Sequence, residues 1–158
     1  MPKNEDPLDR LEHDHGQLSK RLGFVRALLV EARADSGAIE NAVDMFQRTL
    51  PPLMHALVEH FAHEEQGIFP FVEARWPDLR EEIGALVEGH DRIRETATII
   101  LALANRGLRW FNLTAVMFDR LDGDFAEHDR RERVLLEALA ERLDGDARRE
   151  LAGMLRGP

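Results

Sequence analysis

The stretch Leu53-Met54-His55-Ala56-Leu57-Val58-Glu59-His60-Phe61-Ala62-His63-Glu64-Glu65-Gln66-Gly67-Ile68-Phe69-Pro70-Phe71 spaces its apolar residues at three and four, the period of a helix with one buried side. Leu53, Leu57, His60, Glu64, Ile68 and Phe71 share a face, and two of the six are polar. A histidine and a glutamate four residues apart point from a helix in directions about 40 degrees apart, so His60 and Glu64 enter the same interior. A carboxylate placed there is costly unless it is paired or bound to a cation. The pattern therefore predicts a helix in a bundle whose core holds something positive.

The same pattern recurs on three other segments. Leu8, Leu11, His15, Leu18, Leu22, Val25 and Leu29 form a stripe interrupted at His15. Leu79, Ile83, Leu86, His90, Ile93, Ala97 and Ile100 are interrupted at His90, and Met117, Leu121, Phe125, His128, Glu132, Leu135 and Leu139 at His128 and Glu132. Alternating strand signals are missing, so the chain reads as all-α. The first helix opens at the N-cap Asp6 with Pro7 behind it and closes before Asp35-Ser36-Gly37. The second runs from about Ala38 to Arg75, with Pro51-Pro52 expected to break or kink it. Trp76-Pro77-Asp78 ends it, and Asp78 with Glu81 reads as a capping box for the third helix, which fades at Asn105-Arg106-Gly107. The fourth begins near Asn112 and ends before Asp144-Gly145-Asp146, and Ala147 to Leu155 adds a short tail helix.

Short connections favour antiparallel neighbours, so the expected architecture is an up-down-up-down antiparallel four-helix bundle with a short C-terminal tail helix. Residues 1–158 read as one domain, with a core from about 8 to 143 and a tail over 144–158. Antiparallel helices bring together residues equally far from the turn that joins them. Glu64 lies 12 residues before Trp76 and His90 lies 12 after Asp78; His90 is 15 before Asn105 and His128 is 16 after Asn112. His15 is 20 residues before Asp35 and His60 is 22 after Ala38, a mismatch of about 3 Å of helix rise. Six donors from four helices are thus expected at one level: His15, His60, Glu64, His90, His128 and Glu132.

Composition narrows the chemistry. With no cysteine, a disulfide, a thiolate zinc site, a cysteine-ligated iron–sulfur cluster and a thiol nucleophile are all excluded, and a metal must sit on histidine and carboxylate. Such donors suit iron or manganese, with zinc possible. The net charge of −9 opposes binding to nucleic acid or anionic lipid, so the expected partner is a small molecule or another protein. Met1 to Asp6 lacks the apolar segment of a signal peptide, and Thr98 to Ala104, the best apolar run, is too short to span a bilayer, so a cytoplasmic location is expected. The absence of tyrosine excludes a tyrosyl radical on this chain.

His60-Phe-Ala-His-Glu64-Glu-Gln-Gly-Ile-Phe-Pro70 resembles the histidine–glutamate signature of the hemerythrin-like (HHE) cation-binding domain, and Glu127-His128-Asp-Arg-Arg-Glu132 resembles its second copy. Asp14-His15 and His90-Asp-Arg-Ile-Arg94 resemble the family's other two ligand positions. The resemblance implies two non-haem iron ions in a carboxylate-bridged centre that meets oxygen, nitric oxide or peroxide. Oxygen-carrying members have a further histidine four residues after the third-helix ligand, where this chain has Arg94. Four histidines and two glutamates are similar instead to the branch linked to nitric-oxide response, iron-centre repair and iron or oxygen sensing.

Two functions are therefore weighed: a di-iron protein that binds or senses oxygen, nitric oxide or peroxide, and a di-iron enzyme that removes peroxide or nitric oxide or delivers iron to damaged centres. A bundle without metal would have to bury two glutamates with no cation. A ferritin-like oxidase uses glutamate followed three residues later by histidine on two helices, and only Glu12 with His15 fits. His13, His55 and His63 fall off the apolar stripes and read as surface, while Glu65 and Glu127 adjoin ligands and would replace them were a helix rotated. Arg94 is either a surface residue or a partner for a carboxylate near the site. Phe61, Phe69 and Phe71 are expected to shield the site, and Trp76 and Trp110 to pack at the bundle ends.

Overall fold

The computed structural model describes residues 6–155, and every regular element among them is helical. The expectations placed on Met1 to Glu5 and on the last three residues of the tail, 156–158, lie outside the described residues. Helix α1 covers Pro7–Ala34. Asp6 caps it, its side chain accepting from the Leu8 amide at 3.0 Å, and Asp35 ends it by turning extended. The Asp35 carboxylate then accepts from the Gly37 amide at 2.9 Å and opens the short turn Ser36–Ala38.

Helix α2, Ile39–His63, corrects the expectation at Pro51-Pro52, because it runs through both prolines without a break. Both prolines lie on the exposed side, as do Gln47 and Arg48, the residues whose carbonyls the missing proline N–H groups leave without an intrahelical donor. On the other side Phe46, Leu50, Leu53, Met54 and Leu57 are buried. At about 1.5–3 kcal/mol each these five side chains together stabilise by about 7–15 kcal/mol, which outweighs about 6 kcal/mol for two prolines inside a helix.

The interruption falls later. Glu64–Ile68 forms a widened π turn, with the Phe69 amide reaching the Glu64 carbonyl, before α3, Phe69–Arg75. Pro70 has no N–H for the carbonyl four residues back and its ring crowds that carbonyl, so a widened turn accommodates it.

Trp76 ends α3, a single turn covers Pro77–Leu79, and α4 covers Arg80–Ala104. Asp78 does not cap α4, contrary to the capping-box expectation. Its carboxylate accepts from Arg142 at 2.7 Å, because a guanidinium from the end of the next long helix lies within reach. Gly107, at φ 75, supplies the left-handed turn after α4, and Leu108–Trp110 leads into α5, Phe111–Arg142. Asp144 accepts from the Asp146 and Ala147 amides at 3.1 and 2.8 Å and opens α6, Gly145–Leu155.

Packing is most extensive between α4 and α5, followed by α1 on α2. The core is divided into two apolar clusters. One holds Leu18, Phe61, Ile93 and Phe125; the other holds Leu11, Ile68, Leu86 and Leu135. Each long helix crosses from one cluster to the other through the polar residues singled out in its sequence. His15 lies between Leu11 and Leu18, His60 and Glu64 flank Phe61 and precede Ile68, His90 lies between Leu86 and Ile93, and His128 and Glu132 lie between Phe125 and Leu135. Helix α6 closes the second cluster with Leu151, and Arg148 ties it to Asp6 and Arg75 to Glu150.

Candidate metal centre

The belt between the clusters holds the six expected residues, all buried: His15 and His60 are 6% and 7% exposed, Glu64 and His90 0%, His128 and Glu132 2%. His15 Nε2 stands 2.7 Å from His60 Nε2 and 2.9 Å from a Glu132 oxygen. Oε1 of Glu64 is 2.7 Å from His60 Nε2 and 3.4 Å from His15 Nε2, while Oε2 of Glu64 faces the other way, 3.0 Å from His90 Nε2. His128 Nε2 is 3.1 Å from the same Glu132 oxygen that meets His15.

Two donor groups result. His15, His60, Glu64 and Glu132 bring one atom each within 4.8 Å of one another, and so do Glu64, His90 and His128. Glu64 belongs to both through its two oxygens, and Glu132 reaches a histidine of each.

These donors fit a metal better than they fit one another. The Oε2 atoms of Glu64 and Glu132 and the Nε2 atoms of His90 and His128 are buried and complete no hydrogen bond despite their short separations. Buried polar atoms left without partners are rare. Donors bound at about 2.1 Å and at right angles on one ion stand about 3 Å apart, the spacing found here. Electrostatics agree. Burial would push the His15 imidazole down, but its bonds to Asp129, Glu132 and Glu64 outweigh that and raise it to about 12. Burial likewise opposes ionisation of Glu64, but bonds to His15, His60 and His90 hold it well below the usual carboxylate range. In the metal-free chain a proton on His15 thus does part of the work of a cation.

Two further residues hold the imidazoles from behind: Asp129, which the sequence reading did not find, and Glu65, which it read only as a substitute ligand. His15 Nδ1 donates to Asp129 at 2.8 Å, and His90 Nδ1 donates to Glu65 at 2.7 Å. Glu65 is in turn held by Arg94 at 2.9 Å, which settles Arg94 as the partner of a carboxylate near the site. Burial opposes ionisation of Glu65, yet Arg94 and His90 keep it below its ordinary range; His15 does the same for Asp129 against the cost of burial. A carboxylate on the far nitrogen fixes an imidazole's tautomer and orientation and raises its donor strength. Both second carboxylates directly follow a proposed ligand, Glu65 after Glu64 and Asp129 after His128, and that adjacency is the signal that could have found them. Glu64 and Glu65 grip opposite nitrogens of the single His90 ring at the start of the widened turn.

Glu127 takes no part. It is exposed and bound by Arg130 and Arg131, which lower its carboxyl to about 2. His13, His55 and His63 are exposed, as read from the sequence. Phe61 stacks on His90 at 3.9 Å between ring centroids and Phe69 lies parallel to it at 5.7 Å. Phe71 does not shield the site: it packs against Trp76 in the second cluster, because the widened turn and α3 carry it past the belt. Phe125 covers His15 and His128 instead.

Removing the rear carboxylates tests their role. Asp129→Ala and Glu65→Ala are each expected to weaken metal binding by about 10–100-fold, with Asp129→Asn and Glu65→Gln recovering part of the loss. Titration with ferrous ion followed by calorimetry checks this, and unchanged affinity in both alanine variants would rule it out.

The family model described as hemerythrin HHE cation binding domain matches residues 6–140. No curated protein and no solved structure matches the chain. Among the described residues no helix is long and apolar enough to cross a membrane. With a match across nearly all of α1 to α5 and a buried histidine–glutamate cluster at its centre, the chain belongs to the hemerythrin HHE cation-binding domain family.

Proposed function

We propose that the protein holds two non-haem iron ions on His15, His60, Glu64, His90, His128 and Glu132, and that it binds or senses oxygen, nitric oxide or peroxide there. The observation that carries this reading is the division of the donors into two groups that share Glu64, one oxygen to each. His15 and His60 would hold one ion and His90 and His128 the other, with Glu64 and Glu132 shared between them. Bound iron supplies redox change and, with six protein donors spread over two ions, coordination positions free for a small ligand. Oxygen and imidazole donors favour iron or manganese over softer metals, and zinc is compatible with the same set.

The protein's own contribution is positional. Asp129 and Glu65 aim two imidazoles, Phe61 and Phe69 exclude water from the His90 side, and Arg94 neutralises Glu65. We read the scaffold as one domain, an up-down-up-down four-helix bundle of α1, the α2–α3 rod, α4 and α5. Contacts support that order: Arg26 meets Asp122 at 2.6 Å and Arg33 meets Asp119 at 2.7 Å, so α1 descends as α5 ascends. Asp78 and Arg142 join the start of α4 to the end of α5. The acidic surface disfavours nucleic acid and anionic membranes as partners.

Aerobic expression with iron is expected to give two irons per chain and a visible spectrum that changes on reduction and on exposure to oxygen, peroxide or nitric oxide. If wild type binds no iron, manganese or zinc above a His60→Ala, His128→Ala double variant, the assignment fails. Turnover kinetics with peroxide and nitric oxide then separate an enzyme from a sensor.

A further inference from the structure

The two donor groups meet solvent very differently. His15 borders a cavity of about 400 Å³ beside Gly16 and Asp129, and His60 borders a second of about 280 Å³ beside Asp14 and Glu59. These two imidazoles are also the most exposed of the six donors, at 6% and 7%. On the other side His90 is fully buried under two parallel rings, Phe61 and Phe69, with Arg94 lying 5.5 Å over Phe61. His128 is enclosed by Phe61, Phe125 and the backbone of Gly89, and its Nδ1 is buried with no partner.

We infer that the two metal positions exchange separately: the His15–His60 position loads from and releases to solution through the cavities on its side, and the His90–His128 position retains its ion. The inference rests on the two-ion reading above. An ion can leave only by a route that passes water and donors to it. On the His15–His60 side, motion of one imidazole at a cavity wall exposes the ion, and carboxylates stand in both cavities to receive a cation. On the His90–His128 side, release requires Phe61 or Phe69 to move out of well-packed positions, an opening of a higher free-energy class. Both positions share Glu64 and Glu132, so the difference arises from the surroundings and not from the bridging ligands.

Two substitutions at residues that donate no ligand atom separate the routes. Gly16 lies on the exposed side of α1 in the wall of the larger cavity, and a side chain added there meets nothing within 4 Å. Gly16→Leu therefore projects a side chain into the cavity beside His15 while favouring the helix. Phe69→Ala removes the more distant of the two rings parallel to His90. Protein loaded anaerobically with two ferrous ions is mixed with excess colorimetric chelator, and release is followed in time. Wild type is expected to release one ion fast and one slowly, with rates separated by about tenfold or more, which corresponds to about 1.4 kcal/mol of extra opening cost. Gly16→Leu should slow the fast phase alone, and Phe69→Ala should speed the slow phase alone.

Release of both ions in a single phase overturns the inference, as does a Gly16→Leu effect confined to the slow phase. Should Phe69→Ala fail to fold, the phase on which Gly16→Leu acts decides the matter. Uptake of fewer than two ions by wild type overturns the two-ion centre itself and this inference with it, an outcome read before any chelator is added.

Discussion

Glu64→Ala abolishes uptake of both metal ions, whereas His60→Ala and His128→Ala each leave one ion bound. That is the expected result of the largest single change the centre admits, and its basis is geometric. One oxygen of Glu64 lies among His15 and His60, and the other faces His90. Among the six donors no other residue brings a separate atom to each group; Glu132 reaches His15 and His128 through the same oxygen. Loss of a rear carboxylate costs about 10–100-fold in affinity, so loss of a bridging donor should exceed the upper end of that range at both positions. The histidine variants differ because each imidazole belongs to one group only. Metal content by atomic absorption after gel filtration reads the result directly. One ion retained by Glu64→Ala would show that the carboxylate does not bridge.

The part of this arrangement that sequence reveals is the part that breaks a periodic pattern. His15, His90 and the two histidine–glutamate pairs interrupt stripes that are otherwise apolar, and equal distances from the turns place them at one level. Asp129 and Glu65 break no stripe. They lie at the edge of the buried face, where a carboxylate is unremarkable in a chain with 30 acidic residues, and only the approach of another helix reveals what they hold. The misread helix features have a related origin. Pro51-Pro52 is a local signal for a break, yet packing of Phe46, Leu50, Leu53 and Leu57 overrides it because both rings face solvent. The real irregularity, at Glu64–Ile68, was marked by Pro70. Asp78 carried the residue type of a cap but met Arg142 first, a contact set by the far end of the chain.

Metal loading is expected to stabilise the fold strongly and to do so more as pH rises from 6 to 8. An ion that binds only the folded chain contributes about 4 kcal/mol when its free concentration is a thousand times its dissociation constant, so two sites contribute about 8 kcal/mol. For a domain of this size each kcal/mol moves the melting temperature by about 2–4 °C, which gives a rise of about 15–30 °C on loading. The pH dependence follows from His15. In the metal-free chain its imidazole keeps its proton until about pH 12, so the proton is present throughout this window and must leave when an ion takes Nε2. Displacing one proton makes binding about tenfold tighter per pH unit, or about 1.4 kcal/mol. The metal-free protein moves the opposite way. A histidine whose folded value lies above its unfolded value gives its full stabilisation below about pH 6.5, and that stabilisation declines as pH rises toward 12. Glu64 adds no slope in this window, because a depressed carboxylate loses its contribution only as pH falls below its unfolded value and through its folded one. The gap between melting curves with and without metal should therefore widen from pH 6 to pH 8, because the metal-free curve falls while the loaded curve, in which the gain in binding offsets that fall, stays nearly level. Differential scanning calorimetry at fixed free metal measures both. A gap that stays constant across the window would mean that His15 gives up no proton on loading.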